Sequence, residues 1–221
     1  MSGFRWDWAT AWAVLPDLLR GLGLTVEATL AGSAIALILG LCWTIVRLGR
    51  VPLLGAAVQM FVEFLRGTPF LVQLYFLFYV LPTYGLTLPA LQTGALGLGL
   101  YYSAYTSEVF RAGIEAVPAG QWESCLTLGL PLWRVWTGII LPQAMRISIP
   151  MLGNYVIVMF KETALLSTIT VMEVTAQATN VGFRMFRFVE PLTLVGVLYF
   201  ALSYPAARLV RALEARSAVQ H

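Results

Sequence analysis

Long uncharged runs, separated by short charged clusters, dominate this chain. Ala28 to Val46 is 19 residues without a charge, and Gly67 to Ser107 is 41. A helix of about 20 apolar residues crosses a bilayer. The first run therefore predicts one span, beginning near Leu22 with Glu27 close to its end. The second run is too long for one crossing. Its middle, LPTYGLTLP, carries Pro82, Gly85 and Pro89, which punctuate helices. It predicts two spans, at 57–82 and 91–112. Pro191 to Ala207 predicts another, extended on both sides. The stretch 143–170 is interrupted by Arg146, Lys161 and Glu162. Pro150 suits the first turn of a helix there, which predicts a span at 148–170. The pattern thus gives an all-α membrane protein with five transmembrane helices. Helices satisfy their backbone polar groups within one segment, as lipid requires. A β-barrel would need alternating segments, and these runs do not alternate.

Composition agrees. The 221 residues are 59% hydrophobic and 11% charged, with a mean hydropathy of +0.78. Soluble domains carry about 25% charge. A soluble enzyme, a nucleic-acid binder and a disordered regulator are all disfavoured, and the net charge of +3 is too small and scattered for a nucleic-acid footprint. Cys42 and Cys125 fall in different predicted helices, with no CxxC spacing. The one histidine, His221, is the last residue, which removes histidine bases, metal sites and triads. No metal site is expected. The start, MSGFRWDWATAWAV, lacks the form of a cleaved signal peptide. Trp6, Trp8 and Trp12 favour the headgroup level, so residues 1–20 are expected as an outer interfacial helix of a single domain spanning 1–221.

Five spans put the termini on opposite sides, and the arginines choose which. With the C-terminus cytoplasmic, the inner side collects nine: Arg47, Arg50, Arg66, Arg111, Arg134, Arg146, Arg208, Arg211 and Arg216. The outer side keeps Arg5, Arg20, Arg184 and Arg187. This satisfies the positive-inside bias with the N-terminus outside.

Residues 113–142, GIEAVPAGQWESCLTLGLPLWRVWTGIILP, are divided by Pro and Gly into pieces too short to cross. Pro118 and Pro131 suit the starts of short helices, and Gly129 suits a left-handed closing turn. The expectation is a short cytoplasmic helix pair. Trp122, Trp133 and Trp136 supply aromatic anchors of the kind docking surfaces use. An interfacial pair lying on lipid is the competing reading of composition alone.

Glu123-Ser124-Cys125, three residues, Gly129, nine residues, then Ile139-x-Leu141-Pro142 resembles the EAA signature of ABC importer permeases: Glu-Ala-Ala, x3, Gly, x9, Ile-x-Leu-Pro. Ser124 and Cys125 stand where alanines are usual. Phe64 to Leu74 (FLRGTPFLVQL) is similar to the second-helix motif of polar amino-acid permeases. Ala104 to Gly113 (AYTSEVFRAG) is similar to their third helix. Asn154 with Lys161 to Ser167 (KETALLS) is similar to their Lys-Asp-Thr-Ser-Leu stretch, with Glu162 for Asp and Ala164 for Ser. The resemblance runs from about Trp6 to Arg216. Within the family, WDW, ITVMEV and FVEPLTLVG look most like permeases for ectoine and hydroxyectoine.

The resemblance implies a MetI-like permease in the bacterial cytoplasmic (inner) membrane. It also implies a second permease, identical or homologous, two ATPase subunits, and an extracytoplasmic substrate-binding protein. Glu123, Ser124, Cys125, Gly129, Ile139, Leu141 and Pro142 would couple to the ATPase. No cofactor is implied for the chain itself. It has no GK[ST] loop, so ATP and Mg would belong to the partner ATPase.

Charges within spans need explanations, since each costs about 2.5–3.5 kcal/mol at mid-bilayer. Lys161 and Glu162 are adjacent and so point about 100° apart. Counted from Pro150, they fall near the midplane. Glu162 and Thr163 are expected to line the substrate path. Gln73 and Asn154 would support them, and Lys161 would hold a carboxylate of the partner or substrate. A structural ion pair between permeases is the competing reading. Glu108 and Arg111, three apart, are expected as a local structural ion pair. Glu63 and Arg66 would be a solvated pair. Gly67-Thr68-Pro69 would break a helix, its freed carbonyls facing the path or repaired by Thr68. Gly32, Ser33 and Ala36 would allow close helix contact.

Two other classes compete. A stand-alone proton- or ion-coupled carrier would use Glu27, Glu108 and Glu162 as a relay. It is disfavoured because no inverted repeat appears in the chain. A membrane enzyme is disfavoured because the acids are not clustered.

Overall fold

The computed structural model of the chain describes residues 6–49 and 52–218, with side chains to residue 215. Arg5, Arg50 and His221, and the side chain of Arg216, lie outside the described residues.

Asp7 opens the first helix. Its carboxylate accepts from the Ala9 N–H at 2.9 Å and from the Thr10 hydroxyl at 2.6 Å. These bonds hold the Asp7 carboxyl below its ordinary range. Helix α1 then runs unbroken from Trp8 to Leu48, 41 residues with Pro16 inside. At 1.5 Å per residue this is about 60 Å. Of the helix expected at 1–20, the part from Trp8 onward is continuous with the first span, and residues 1–5 lie outside the described residues. Trp8 and Trp12 remain exposed.

Helix α2 (Pro52–Gly67) and helix α3 (Phe70–Tyr75) follow. A π turn (Phe76–Val80) and a 3-10 turn (Leu81–Tyr84) extend α3. The Gly67-Thr68-Pro69 break bends this pair by 105°. Pro69 removes an N–H and keeps its neighbour extended. Helix α4 covers Ala90–Glu115, helix α5 Ala119–Thr127 and the single turn α6 Leu132–Arg134. Through a π turn (Val135–Ile140), α6 continues directly into α7 (Leu141–Glu162) and a 3-10 segment (Thr163–Ile169). The span expected at 148–170 thus starts earlier. Pro142 occupies the first turn of α7 and Pro150 lies inside it, a correction to the expected helix start. Helices α8 (Val174–Met185) and α9 (Val189–Ala218) complete the fold.

Among the described residues three helical stretches are long and apolar enough to cross a membrane: Trp8–Leu48, Leu132–Ile169 and Val189–Ala215. The bent α2–α3 pair is a fourth candidate. Helix α4, at 26 residues, is long enough but too polar to qualify. It is packed by protein instead of lipid, with Tyr102, Ser103, Thr106 and Ser107 all buried.

Small residues let α1 and α4 approach. Gly32, Ser33 and Ala36 of α1 are buried, and Thr106 donates to the Ala36 carbonyl at 2.8 Å. A Cβ at Gly40 would overlap the Thr106 hydroxyl. Such packing holds helices together where no hydrophobic force acts between them. Helix α7 crosses beside them, its Met159 against Ser33. Helix α9 packs on α7, with Phe160 and Tyr199 ring centroids 5.2 Å apart.

The N-terminal ends of α1 and α9 meet at one end of the bundle. There the Asp7 N–H donates to Glu190 at 3.2 Å, Arg187 pairs with both Glu190 and Asp7, and Arg184 pairs with Asp17 at 3.3 Å. The opposite end gathers Arg47, Arg66, Glu108 and Arg111 and carries the α5–α6 hairpin.

Candidate functional site

Two regions collect the residues singled out by sequence: the α5–α6 hairpin and the middle of the bundle around α7.

In the hairpin, Pro118 starts α5 and Gly129 ends it at φ +63°. The Leu130 N–H bonds the Cys125 carbonyl at 3.1 Å and the Gly129 N–H bonds the Leu126 carbonyl at 3.0 Å. These are the two bonds of a Schellman closure. Cys125 is buried in a small core with Val117, Val135, Ile140 and Ala144, and Ile139 packs on its edge. Burial makes the Cys125 thiol a packing group of its own chain. Trp122 and Trp136 meet edge to face at 5.3 Å and clamp the hairpin. The second helix expected here is only the start of α7, so the hairpin is rigidly joined to a bundle helix. Glu123, Ser124, Gly129 and Pro142 are exposed. So are Leu126, Leu128, Leu132 and Trp133, at 64–77%, and Leu141 at 38%. The result is a fixed apolar knuckle around Gly129.

In the bundle, Glu162 is the last residue of α7. One of its carboxylate oxygens, Oε2, is buried without a hydrogen-bond partner. The Tyr102 and Tyr101 hydroxyls of α4 lie within electrostatic reach of it. Tyr101 and Tyr105 join hydroxyls at 3.1 Å. The Tyr105 ring stands 5.7 Å from that of Tyr155, and Arg66 lies over it at 5.5 Å. This tyrosine column, Tyr105 apart, belongs to none of the motifs read from the sequence. Its signal was the run YYSAY, polar rings within an otherwise apolar stretch.

The other expected path residues disperse. Thr163 is fully buried and turns to α9. Its hydroxyl donates to the Phe160 carbonyl at 2.7 Å and meets Tyr199 at 3.3 Å. Gln73 stitches the helix break, its amide donating to the Leu65 carbonyl at 2.8 Å and the Thr68 hydroxyl at 2.7 Å. Thr68 in turn donates to the Phe64 carbonyl at 2.9 Å. Asn154 and Lys161, seven apart on α7, share an exposed face. No ion pair of Glu162 or Lys161 occurs among the described residues.

Glu108 binds Arg111 at 2.7 Å, but it also binds Arg47 of α1 at 2.6 Å and lies 3.9 Å from Arg66 of α2. Arg66 has turned to Glu108 and Tyr105, while Glu63 accepts from Gln59. The expected Glu63–Arg66 pair is therefore absent, because the half-buried Glu108 offers a stronger partner than a solvated one. Among the described residues no three His, Cys, Asp or Glu side chains come together as metal ligands.

Membrane helices around a tyrosine-lined acid, with a rigid hairpin projecting from one end, define a transporter's membrane domain. The comparisons identify which kind. Residues 28–219 match the family of binding-protein-dependent transport system inner membrane components. The chain is 42% identical to a probable amino-acid ABC transporter permease, y4tG of Sinorhizobium fredii (strain NBRC 101917 / NGR234), covering 97% of this chain and 95% of that one. It is 34% identical to the L-cystine transport system permease TcyB of Bacillus subtilis (strain 168), over 90% of this chain and 87% of the other. A crystal structure of an amino acid ABC transporter with histidines superposes with a TM-score of 0.91 at 31% identity, covering 96% of this chain and all of that one. The MetNI methionine transporter, at 17% identity and a TM-score of 0.70, shares the fold. The chain belongs to the binding-protein-dependent permease family. It is the multi-pass inner-membrane permease subunit of an ABC importer, not a stand-alone carrier, and it is not itself an enzyme. The family works with a separate ATPase that uses ATP and with a substrate-binding protein.

Proposed function

We propose that this permease carries a polar amino acid or an amino-acid-like compatible solute, and that Glu162 receives the substrate's ammonium group. The observation that carries this reading is the buried, unpaired Oε2 of Glu162 beside the Tyr101 and Tyr102 hydroxyls. A half-buried carboxylate with one oxygen unpaired and no cation beside it is costly, and an incoming ammonium relieves the cost. Relatives named for L-cystine and arginine transport agree with such a substrate. Asn154 and Lys161, on the exposed face of α7, meet either the substrate carboxylate or a second permease. Thr163 and Gln73 support the path indirectly, through the turn after α7 and the α2–α3 break.

The working assembly in this reading holds two permeases, identical or homologous, and two ATPases. Helix α4 is the fifth crossing, the N-terminus is outside and the C-terminus cytoplasmic. The start of α1, from Trp8 to Leu19, sits at the outer interface, where the binding protein docks. The segment 113–142 is the coupling segment. The Gly129 knuckle fits a groove on the ATPase, with Glu123, Ser124, Leu141 and Pro142 at its rim and Cys125 and Ile139 as its internal packing. Nucleotide-driven closure of the ATPases then biases a two-state bundle.

The test is Glu162→Gln in the assembled transporter. Losing one charge-assisted bond should lower uptake roughly 10–100-fold while leaving assembly intact. Wild-type uptake would remove Glu162 from the path. Calorimetry of the cognate receptor against ectoine, hydroxyectoine and basic amino acids identifies the substrate.

A further inference from the structure

Beside Glu162, where the end of α7 meets α9, lies a largely buried set of polar groups with no assigned role. The Tyr199 hydroxyl is 3.2 Å from Glu173 Oε2, 3.3 Å from Thr163 Oγ1 and 3.4 Å from Thr175 Oγ1. Glu173 and Thr163 are both fully buried. Glu173 caps α8, accepting from the Ala176 N–H at 2.7 Å and the Thr175 N–H at 2.9 Å. Thr25 of α1 reaches the same place, accepting the Val174 N–H at 3.2 Å. Four elements therefore meet around the Glu173–Tyr199 contact: α1, the 3-10 segment, α8 and α9.

Proton counting makes this set more than a staple. A tyrosine hydroxyl has one proton to give. Thr163 already donates to the Phe160 carbonyl at 2.7 Å, so toward Tyr199 it can only accept. The Glu173 oxygens accept as well. Thr175 has its own hydroxyl proton to give the phenol, so Thr163 and Glu173, at nearly equal distance, are the acceptors that compete for the phenol's one proton. One of them caps α8. The other is the residue directly after Glu162, at the point where the α-helix tightens into a 3-10 segment. Changes of winding at such a junction are a common hinge.

We propose that Tyr199 is a positioning residue for Glu162: its proton, shared between Thr163 and Glu173, couples the winding of the turn that carries Glu162 to the seating of α8. The pathway meaning of this coupling rests on the reading that Glu162 receives substrate. The ring of Tyr199 packs edge to face on Phe160, so Tyr199→Phe removes the hydroxyl and keeps the packing.

The experiment uses the complete permease–ATPase complex in nanodiscs, with Cys42→Ala, Cys125→Ala and Glu162→Cys. The readout is the rate at which a small methanethiosulfonate reagent modifies position 162. Adding Tyr199→Phe should change that rate about tenfold, the population shift worth one hydrogen bond, with the melting temperature of the complex held. An unchanged rate overturns the proposal. If Tyr199→Phe fails to assemble, Thr163→Ser and Thr163→Val decide. Serine should keep the original rate and valine should show the altered one, and equal rates for the two overturn the proposal. The cysteine replaces the carboxylate, so this outcome is independent of substrate binding at Glu162. Uptake by Glu162→Gln tests that separately.

Discussion

Arg47 of α1 donates to Glu108 of α4 at 2.6 Å, and the two side chains are only 12% and 20% exposed. Arg111 and Arg66 approach the same carboxylate from α4 and α2. One acid thereby joins three helices at the end that carries the hairpin. Glu108→Gln leaves Arg47 nearly buried without a counter-charge. It should destabilise the permease by about 2 kcal/mol, less than a fully buried pair because some water reaches it. Glu115→Ala removes only the outer partner of Arg111, which is 55% exposed, and should cost under about 1 kcal/mol. Thermal unfolding of both variants in detergent checks the order. Equal losses would mean that Arg47 is not the partner that matters.

The α2–α3 break is held by two side chains, Gln73 and Thr68. Gln73 gives its amide protons to the Leu65 carbonyl and to Thr68, groups that the 105° bend leaves without helical partners. Gln73→Leu should cost about 1–3 kcal/mol, because these acceptors then lie unsatisfied in a low-dielectric setting. Thr68→Val removes its own bond to the Phe64 carbonyl and one acceptor of Gln73, but leaves Gln73 on the Leu65 carbonyl, so it should cost less. A Gln73→Leu permease that melts at the wild-type temperature would mean that water or lipid headgroups satisfy the break unaided.

Two glycines of α1 should behave oppositely. A side chain at Gly40 would collide with Thr106 and press on the Ser103 carbonyl of α4, while nothing lies within 4 Å of a Cβ at Gly23. Gly40→Val should overpack the α1–α4 contact by about 1–3 kcal/mol or more. Gly23→Ala should be neutral or stabilise by up to about 1 kcal/mol through helix propensity. Melting temperatures moving in opposite directions are the expected result.

The legible parts of this sequence were those governed by local chemistry. Gly67-Thr68-Pro69 announced a break, since proline removes a ladder bond and glycine has a low helix propensity. Gly129 announced a left-handed closure. The small residues of α1 marked the face that meets α4. Long-range pairing was not legible. Arg47 and Glu108 are 61 positions apart, so only the fold reveals that Arg111 shares its acid. Gln73 looked like a path residue because its amide is polar in an apolar run, yet that polarity is spent on the neighbouring backbone. Pro150 looked like a helix start, but α6 and its π turn feed α7 from the hairpin and carry it past that point. The Glu173–Tyr199 contact gave no warning, because a lone glutamate and a lone tyrosine have no spacing to read.

Gly129 is where turn chemistry and the proposed motor contact meet. Its φ of +63° is one that only residues tolerant of the left-handed region adopt cheaply, and nothing lies within 4 Å of a Cβ there. Gly129→Ala therefore adds no clash, only about 1 kcal/mol of backbone strain, while Gly129→Asn should be milder. That strain falls on the Schellman closure and tilts Leu126 and Leu128 of the knuckle, leaving the Cys125 core beneath intact. Coupling should consequently suffer before folding does. Co-purification of the ATPase should weaken in the order wild type, Asn, Ala, with the permease's melting temperature within a few degrees of wild type for all three. Leu126→Ser and Leu128→Ser should reduce co-purification without lowering stability, because both side chains are already more than 70% exposed. If these serine variants retain the ATPase fully, the knuckle is not the docking surface. If they unfold the permease, the two leucines belong to its own core.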